Sequence, residues 1–401
     1  MRRFATFTVE KDGISIPSLE AVFPHVWLRD SCQCPSCVHP TSKQKLHKST
    51  DIPLDIRPKA TEDAVRTTKD PAGLHVEWSA KGIDEHHSFY PASFLQRNSS
   101  LEILRAFHRE INRQPWPKTS TLDLSFPYEA LSQPSHLLSA MTLLDLYGMI
   151  FVRDVPTTET SDEKCELRVL AEKFGQIRKT FYGETWDVRN VRNSKNIAYT
   201  NLHLGLHMDL LYFHNPPRYQ ALHCLRHRVE GGHSIFVDGL AAGLELYHTA
   251  EREFAELAST PVNFHYINDG HHLHSEHPTI EVRPEPLGGP DAAAIYCINY
   301  SPPFQAPLPP TTPPSFYAAL NKFVKILEAP ENRYECVLNE GEAVIFDNRR
   351  ILHGRRSFAD LELSGADGET NRWLKGCYLD EDAFQDKRRI LDIQETEQEG
   401  S

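Results

Sequence analysis

No apolar run in this 401-residue chain approaches the roughly 18 residues that a membrane-spanning helix requires. The N-terminus lacks the apolar core of a secretory signal. Its first seven residues are basic and free of acids, as in a transit peptide, but Glu10 and Asp12 end that character at once. A soluble cytoplasmic protein is the expectation, with a mitochondrial one as the alternative. Excess positive charge is also lacking: 43 Lys and Arg face 55 Asp and Glu, a formal net charge of −12. Such a chain is a poor non-specific partner for nucleic acid, whose phosphates need concentrated positive charge. Internal repeats and long low-complexity segments are missing too. What is present, 40% hydrophobic and 24% charged residues, suffices to bury a sizeable core and excludes a disordered chain. The length predicts one large domain and a smaller one.

Cysteine is sparse but unevenly placed. Five of the eight (Cys165, Cys224, Cys297, Cys336, Cys377) stand singly, whereas Cys32, Cys34 and Cys37 lie within six residues. In a reduced compartment, clustered thiols read as metal ligands rather than disulfide halves. Three thiolates call for a fourth ligand in a structural zinc site. His86 and His87, in Asp84-Glu85-His86-His87-Ser88, are the candidates, with His39, His47 and His75 as weaker ones. A nucleic-acid-binding zinc ribbon is the different-class reading of this region. Lys43, Lys45 and Lys48 support it slightly, although a short basic run is more often a solvated face.

Strand-period alternation dominates the first 90 or so residues: Phe7-Thr8-Val9, Gly13-Ile14-Ser15-Ile16, Val26-Trp27-Leu28 and Leu74-His75-Val76-Glu77-Trp78. Leu101, Leu104, Phe107 and Ile111 then fall at helical spacing until Gln114-Pro115-Trp116-Pro117 interrupts them. This predicts a small domain over 1–95, a linker helix and loop over 96–120, and a larger domain over 121–395. In the latter, helices are expected near 135–147, 163–174, 240–257 and 315–327. Strands are expected at 149–152, 219–225, 234–237, 293–298, 334–338, 343–346 and 373–379. The fold class is therefore mainly β with flanking helices, a sandwich or barrel core.

The sharpest chemical pattern is His207-Met208-Asp209, answered 144 residues later by His353 in Ile351-Leu352-His353-Gly354-Arg355. Residues i and i+2 of a strand share a face, so one imidazole and one carboxylate can reach a common ion, and a distant strand adds the third ligand. Two histidines and a carboxylate leave coordination positions open, the arrangement that suits oxygen-activating Fe(II). The denser histidine stretch from Asn268 to His277 carries Asp, Gly and Ser and is followed by Pro278, which reads as a flexible loop.

Seven blocks occur in one order: 180–186 (Thr-Phe-Tyr-Gly-Glu-Thr-Trp), the His-x-Asp, Leu222-His223-Cys224, Gly231-Gly232-His233-Ser234, Val237-Asp238-Gly239, Ile298-Asn299-Tyr300 and 346–358 (Phe-Asp-Asn-Arg-Arg-Ile-Leu-His-Gly-Arg-Arg-Ser-Phe). Together they resemble the γ-butyrobetaine dioxygenase and trimethyllysine dioxygenase family, within the taurine dioxygenase-like Fe(II)/2-oxoglutarate oxygenases. The resemblance runs from about residue 20 to 392. It implies a double-stranded β-helix, or jelly roll, with a small N-terminal zinc-binding β domain, and it selects His86 as the fourth zinc ligand beside Cys32, Cys34 and Cys37. It implies iron on His207, Asp209 and His353. The co-substrate 2-oxoglutarate would be held by Arg372 with Ser234 and Leu222. Arg372 follows His353 by 19 residues, a longer gap than the family shows, so Arg355 and Arg356 stay open as rivals for the carboxylate fork.

The same resemblance implies a cage of Tyr182, Trp186, Tyr199 and Tyr378 for a quaternary ammonium, which aromatic faces attract electrostatically. Asn196 and Asn299 would take the substrate carboxylate. Leu210 stands where the animal enzymes carry a tyrosine donor. The implied reaction is hydroxylation of γ-butyrobetaine to L-carnitine with release of succinate and CO2, ascorbate acting as reductant and the chain as a homodimer. Trimethyllysine or another betaine is the alternative substrate, and a non-catalytic jelly-roll binding protein is the different-class reading.

Overall fold

The computed structural model of the protein describes residues 6–79, 85–117, 124–189, 200–283, 295–360 and 371–399. Contacts divide the chain into two units, Met1–Glu110 and Ile111–Ser401.

In the first unit the strand Ala72–Ser79 alternates Leu74, Val76 and Trp78 inward, and pairs with Arg57–Pro58, Val65–Lys69 and His86–Pro91 in an antiparallel sheet. A second sheet joins Thr8–Val9, Gly13–Ile16 and Ala21–Pro24. Ile14, Ile16 and Phe23 from that sheet share one apolar core with Trp78 and Tyr90. One expectation fails here and another holds in part. Val26-Trp27-Leu28 lies not in a strand but in the helix His25–Asp30, which buries His25 and Leu28 one turn apart; three consecutive apolar residues carry no period of their own. The expected linker helix is present as Leu101–Phe107, but it ends before Ile111, and Leu101 and Phe107 of its apolar stripe are exposed.

The second unit is built on two sheets. One has the order Thr185–Arg189, Arg372–Leu379, Tyr219–His227, Ala343–Asp347, Met149–Arg153 and Ser125–Pro127, antiparallel except for the last pair. The other runs Leu204–His207, Ile351–Arg355, Ser234–Asp238 and Arg333–Cys336. Phe236 and Ile351 from the smaller sheet share a core with Met149, Cys224, Val344, Phe346 and Leu374 from the larger. Two sheets joined by one core are consistent with a jelly roll. Period-2 alternation then sorts side chains. Along Tyr219–His227, Gln220 and Leu222 face a cavity, while Tyr219 and Ala221 join the apolar layer formed with the helices Pro134–Tyr147 and Glu166–Phe174.

The single helix expected over 240–257 is two, Gly239–Thr249 and Glu251–Ser259, because Ala250 leaves helical geometry at φ −158° and ψ 65°. Leu246, Phe254 and Leu257 are all buried, so the apolar period continues through the break and hides it. The histidine-rich stretch is not a flexible loop. Pro261–Asn268 and His271–Pro278 form an antiparallel hairpin, closed by Asp269 and Gly270 at φ 49° and 79°. Paired positive φ is the turn that Asp-Gly supports, and strand alternation buries Ser275 and His277 while exposing His272, His274 and Glu276. No helix among the described residues is long and apolar enough to cross a membrane.

Candidate active site

Among the described residues, two groups of three or more metal-capable side chains bring their donor atoms within 4.8 Å of one another. One is His207, Asp209 and His353; the other is Cys32, Cys34, Cys37 and His86. The hairpin histidines belong to neither.

The first group arises from strand pairing. His207 and His353 are direct partners across antiparallel strands, which puts their rings 4.2 Å apart on one face. His207 Nε2 lies 3.5 Å from Asp209 Oδ1, and His353 Nε2 lies 3.9 Å from Asp209 Oδ2. His207 Nδ1 donates to the Gly205 carbonyl at 2.9 Å, which leaves the Nε2 lone pair for a metal. Burial and the neighbouring His207 lower the pKa of His353 to about 3, so its imidazole is neutral at physiological pH. Burial opposes ionisation of Asp209, but the two imidazoles and the Tyr378 hydroxyl outweigh it and hold the carboxyl well below the usual range. Two imidazoles and a carboxylate on one face are a donor set that fits ferrous iron.

Sequence reasoning missed the side chains that hold this set. The Asp209 main chain is bracketed by Asn348, whose Oδ1 accepts from Asp209 N at 2.8 Å while its Nδ2 donates to the Asp209 carbonyl at 3.1 Å. The bracket steadies a sharp turn, since Leu210 sits in the left-handed region at φ 61°. Asn348 belongs to the 346–358 block yet received no role, because nothing in its neighbours' spacing marks a main-chain clamp. Gln220 lay two residues from the predicted Leu222, on the same strand face, and that period could have found it.

One cavity contains the triad, the predicted co-substrate residues Arg372, Ser234 and Leu222, and the aromatic residues Tyr182, Trp186 and Tyr378. Of the rival arginines, Arg356 is absent from its lining; it pairs with Glu335 at 2.6 Å in a half-exposed position. Arg355 does line the cavity, but one guanidinium nitrogen donates to the carbonyls of Thr200 and Leu202 at 2.6 and 2.9 Å. Arg372 packs over the Phe358 ring at 5.5 Å. Burial lowers Arg372 to about 10, and burial with the charge of Arg372 lowers Arg355 to about 10. Both stay cationic at neutral pH, so two buried guanidiniums that repel each other line a chamber suited to a small dianion.

The aromatic wall has a specific cause. Trp186 is the register partner of Gly376, and a Cβ there would stand 2.2 Å from the nearest indole carbon. Absence of a side chain lets the indole lie against the strand, 5.4 Å from the Tyr378 ring and 6.5 Å from that of Tyr182. Tyr212, unnoticed in the sequence, also lines the cavity, its hydroxyl 3.4 Å from that of Tyr182. Asn299 departs from expectation. It is buried outside the cavity lining, with its amide donating to the Pro278 carbonyl at 2.7 Å. Asn196 and Tyr199 lie outside the described residues.

The second group lies in the first unit. Nε2 of His86 is 3.3, 3.7 and 3.6 Å from the sulfurs of Cys32, Cys34 and Cys37. A tetrahedral zinc with ordinary Zn–S and Zn–N bonds separates such atoms by about 3.5 Å. His87, the next residue along the strand, points the other way to His75, at 3.0 Å. His47 lies 3.3 Å from Asp30, and His39 accepts from the Ser42 amide. Lys45 also pairs with Asp30, which removes charge from the short basic run. Burial, then the nearby Cys32, pushes the Cys37 thiol up to about 12. Burial likewise lowers His86 to about 4. A bound cation would supply the charge that ionised thiols here require.

Comparison with known proteins places this geometry. Residues 112–378 match the family described as Taurine catabolism dioxygenase TauD, TfdA family, and residues 17–96 match Gamma-butyrobetaine hydroxylase-like, N-terminal. Dioxygenase str8 of Strobilurus tenacellus is 47% identical over 97% of this chain and 90% of its own length. Gamma-butyrobetaine dioxygenase of Homo sapiens is 30% identical over 93% of this chain and 92% of its own. Mitochondrial trimethyllysine dioxygenase of Homo sapiens is 29% identical, over 93% and 83% respectively. The chain belongs to the TauD, TfdA dioxygenase family, and it is a 2-oxoglutarate-dependent dioxygenase that uses Fe(II).

Proposed function

We propose that this dioxygenase hydroxylates an aliphatic quaternary ammonium compound, γ-butyrobetaine, to L-carnitine. The observation that carries the reading is the aromatic wall of Tyr182, Trp186 and Tyr378 on the cavity that holds the triad. A trimethylammonium head cannot donate hydrogen bonds, and ring faces attract it. Asp209, whose charge is directed at the metal, is the one carboxylate among the described lining residues. In this reading His207, Asp209 and His353 hold the iron, and Arg372 forks the distal carboxylate of 2-oxoglutarate, with Ser234 and Leu222 beside it. Bound iron would let dioxygen serve as the oxidant, 2-oxoglutarate being oxidatively decarboxylated to succinate and CO2 with one oxygen atom entering succinate and the other the substrate C–H bond. The chain's own contribution is placement: the wall fixes the substrate head, and the apolar side chains Leu204, Leu210 and Phe304 keep water from the reacting C–H bond.

A second substrate reading rests on two departures. Leu210 offers no donor, and Asn299 is turned toward Pro278, so the described cavity is short of neutral donors for a betaine carboxylate. A substrate with an uncharged tail then competes, as does trimethyllysine, whose carboxylate lies farther from the head and is accompanied by an α-ammonium. Succinate formation measured side by side with γ-butyrobetaine, trimethyllysine and the tert-butyl isostere of γ-butyrobetaine separates the cases. The betaine should act best, and the neutral isostere should bind roughly 2- to 30-fold more weakly for want of the cation–π attraction. Equal use of the isostere would refute the cage. Trp186→Ala should raise the Michaelis constant for the betaine by roughly tenfold or more while leaving that for 2-oxoglutarate unchanged; an unaltered betaine constant would argue against it.

The cluster of Cys32, Cys34, Cys37 and His86 we read as a structural zinc site. Cys37→Ser should lower zinc content from one per chain toward zero and reduce the melting temperature, since metal affinity in such a site is folding free energy. Retention of full zinc content by that variant would show that the cation is held otherwise.

A further inference from the structure

Gln220 and Tyr378 are direct cross-strand partners on the cavity face of the larger sheet. Both reach the same atom: Gln220 Nε2 donates to Asp209 Oδ2 at 2.9 Å, and the Tyr378 hydroxyl donates to it at 2.9 Å. The two donors are buried, at 1% and 2% exposure, so water does not replace either bond at no cost. Asp209 Oδ1 is turned toward His207. Tyr378 meanwhile presents its ring to Trp186, at 5.4 Å.

We propose that Gln220 and Tyr378 are positioning residues for the iron carboxylate. Two hydrogen bonds on Oδ2 occupy that oxygen and leave Oδ1 as the metal ligand. A carboxylate that bound through both oxygens would take a coordination position the ketoacid or dioxygen needs, and the donor pair disfavours that mode. Tyr378 then serves two surfaces: its hydroxyl orients the metal ligand while its ring forms part of the substrate wall. The inference rests on Asp209 being an iron ligand and is independent of which substrate the enzyme takes.

The test is titration of iron-stripped, zinc-loaded protein with Mn(II), followed by the disappearance of the free-ion magnetic resonance signal. Mn(II) stands in for ferrous iron at oxygen and nitrogen ligands, and thiolate sites disfavour it. Tyr378→Phe, which keeps the ring, should weaken Mn(II) binding about 10-fold or more, within the range that outer hydrogen-bond partners of metal ligands contribute. Gln220→Leu should act in the same direction, and the double variant should lose less than the product of the two, since both donors serve one oxygen. Trp186→Ala should leave Mn(II) affinity unchanged. Wild-type Mn(II) affinity in both Tyr378→Phe and Gln220→Leu would overturn the proposal and leave Tyr378 as a wall residue only. Wild-type affinity in Asp209→Ala would instead overturn the iron assignment itself, so the two failures are distinguishable.

Discussion

Asp209→Ala is expected to bring succinate formation down to background. Enzymic accelerations are of order 10⁶ or more, and under the proposed assignment nearly all of that depends on the metal that His207, Asp209 and His353 would hold. The loss is not expected to come from unfolding. The Asp209 main chain is held by Asn348 through both its amide and its carbonyl, and the substitution removes neither bond. Zinc content and far-ultraviolet circular dichroism of the variant should therefore match the wild type. Turnover within tenfold of wild type would show that the carboxylate is dispensable and that the ion, if bound, sits elsewhere.

The second large effect is expected at the co-substrate end. Arg372→Met keeps the apolar stem and removes the guanidinium fork. Paired charge-assisted hydrogen bonds to a carboxylate contribute about 1.5–3 kcal/mol, so the Michaelis constant for 2-oxoglutarate should rise roughly 10- to 150-fold. That of the prime substrate should move little. Arg355→Met should have the smaller effect on 2-oxoglutarate, because one Arg355 nitrogen is already committed to the carbonyls of Thr200 and Leu202. Arg356→Met should have none, being paired with Glu335 outside the cavity lining. The reverse order for Arg355 and Arg372 would move the fork to Arg355.

The parts of this site legible in the sequence are those where a chemical requirement fixes residue type. A metal needs His, Asp or Cys, so the pairs Cys32/Cys34 and His207/Asp209 stood out at a spacing of two, and the triad they suggested is drawn together by strand pairing. Strand alternation likewise marked some of the strands, among them Gly13–Ile16, Ala72–Ser79 and Tyr219–His227. What stayed hidden acts through geometry rather than type. Asn348 clamps a main chain 139 residues away, and no local pattern announces that. Gly376 matters because Trp186 lies across from it, which only register reveals. Asn299 had the right chemistry and the wrong direction: its neighbour Tyr300 accepts from the Met208 amide, which fixes this segment behind the metal motif, and the Asn299 side chain turns to Pro278. The histidine hairpin was misread because polar composition outweighed the Asp269-Gly270 turn signal, although Val262, Phe264 and Tyr266 alternate at the strand period just before it.

The central proposal is that His207, Asp209 and His353 share one ferrous ion. Anaerobic titration of the zinc-loaded protein with Fe(II) in the presence of 2-oxoglutarate tests it most directly, because a ketoacid chelated to ferrous iron absorbs visible light. The wild type should develop that absorption and saturate at one iron per chain, while His353→Ala should develop none at the same concentrations. Full absorption in His353→Ala would contradict the shared site.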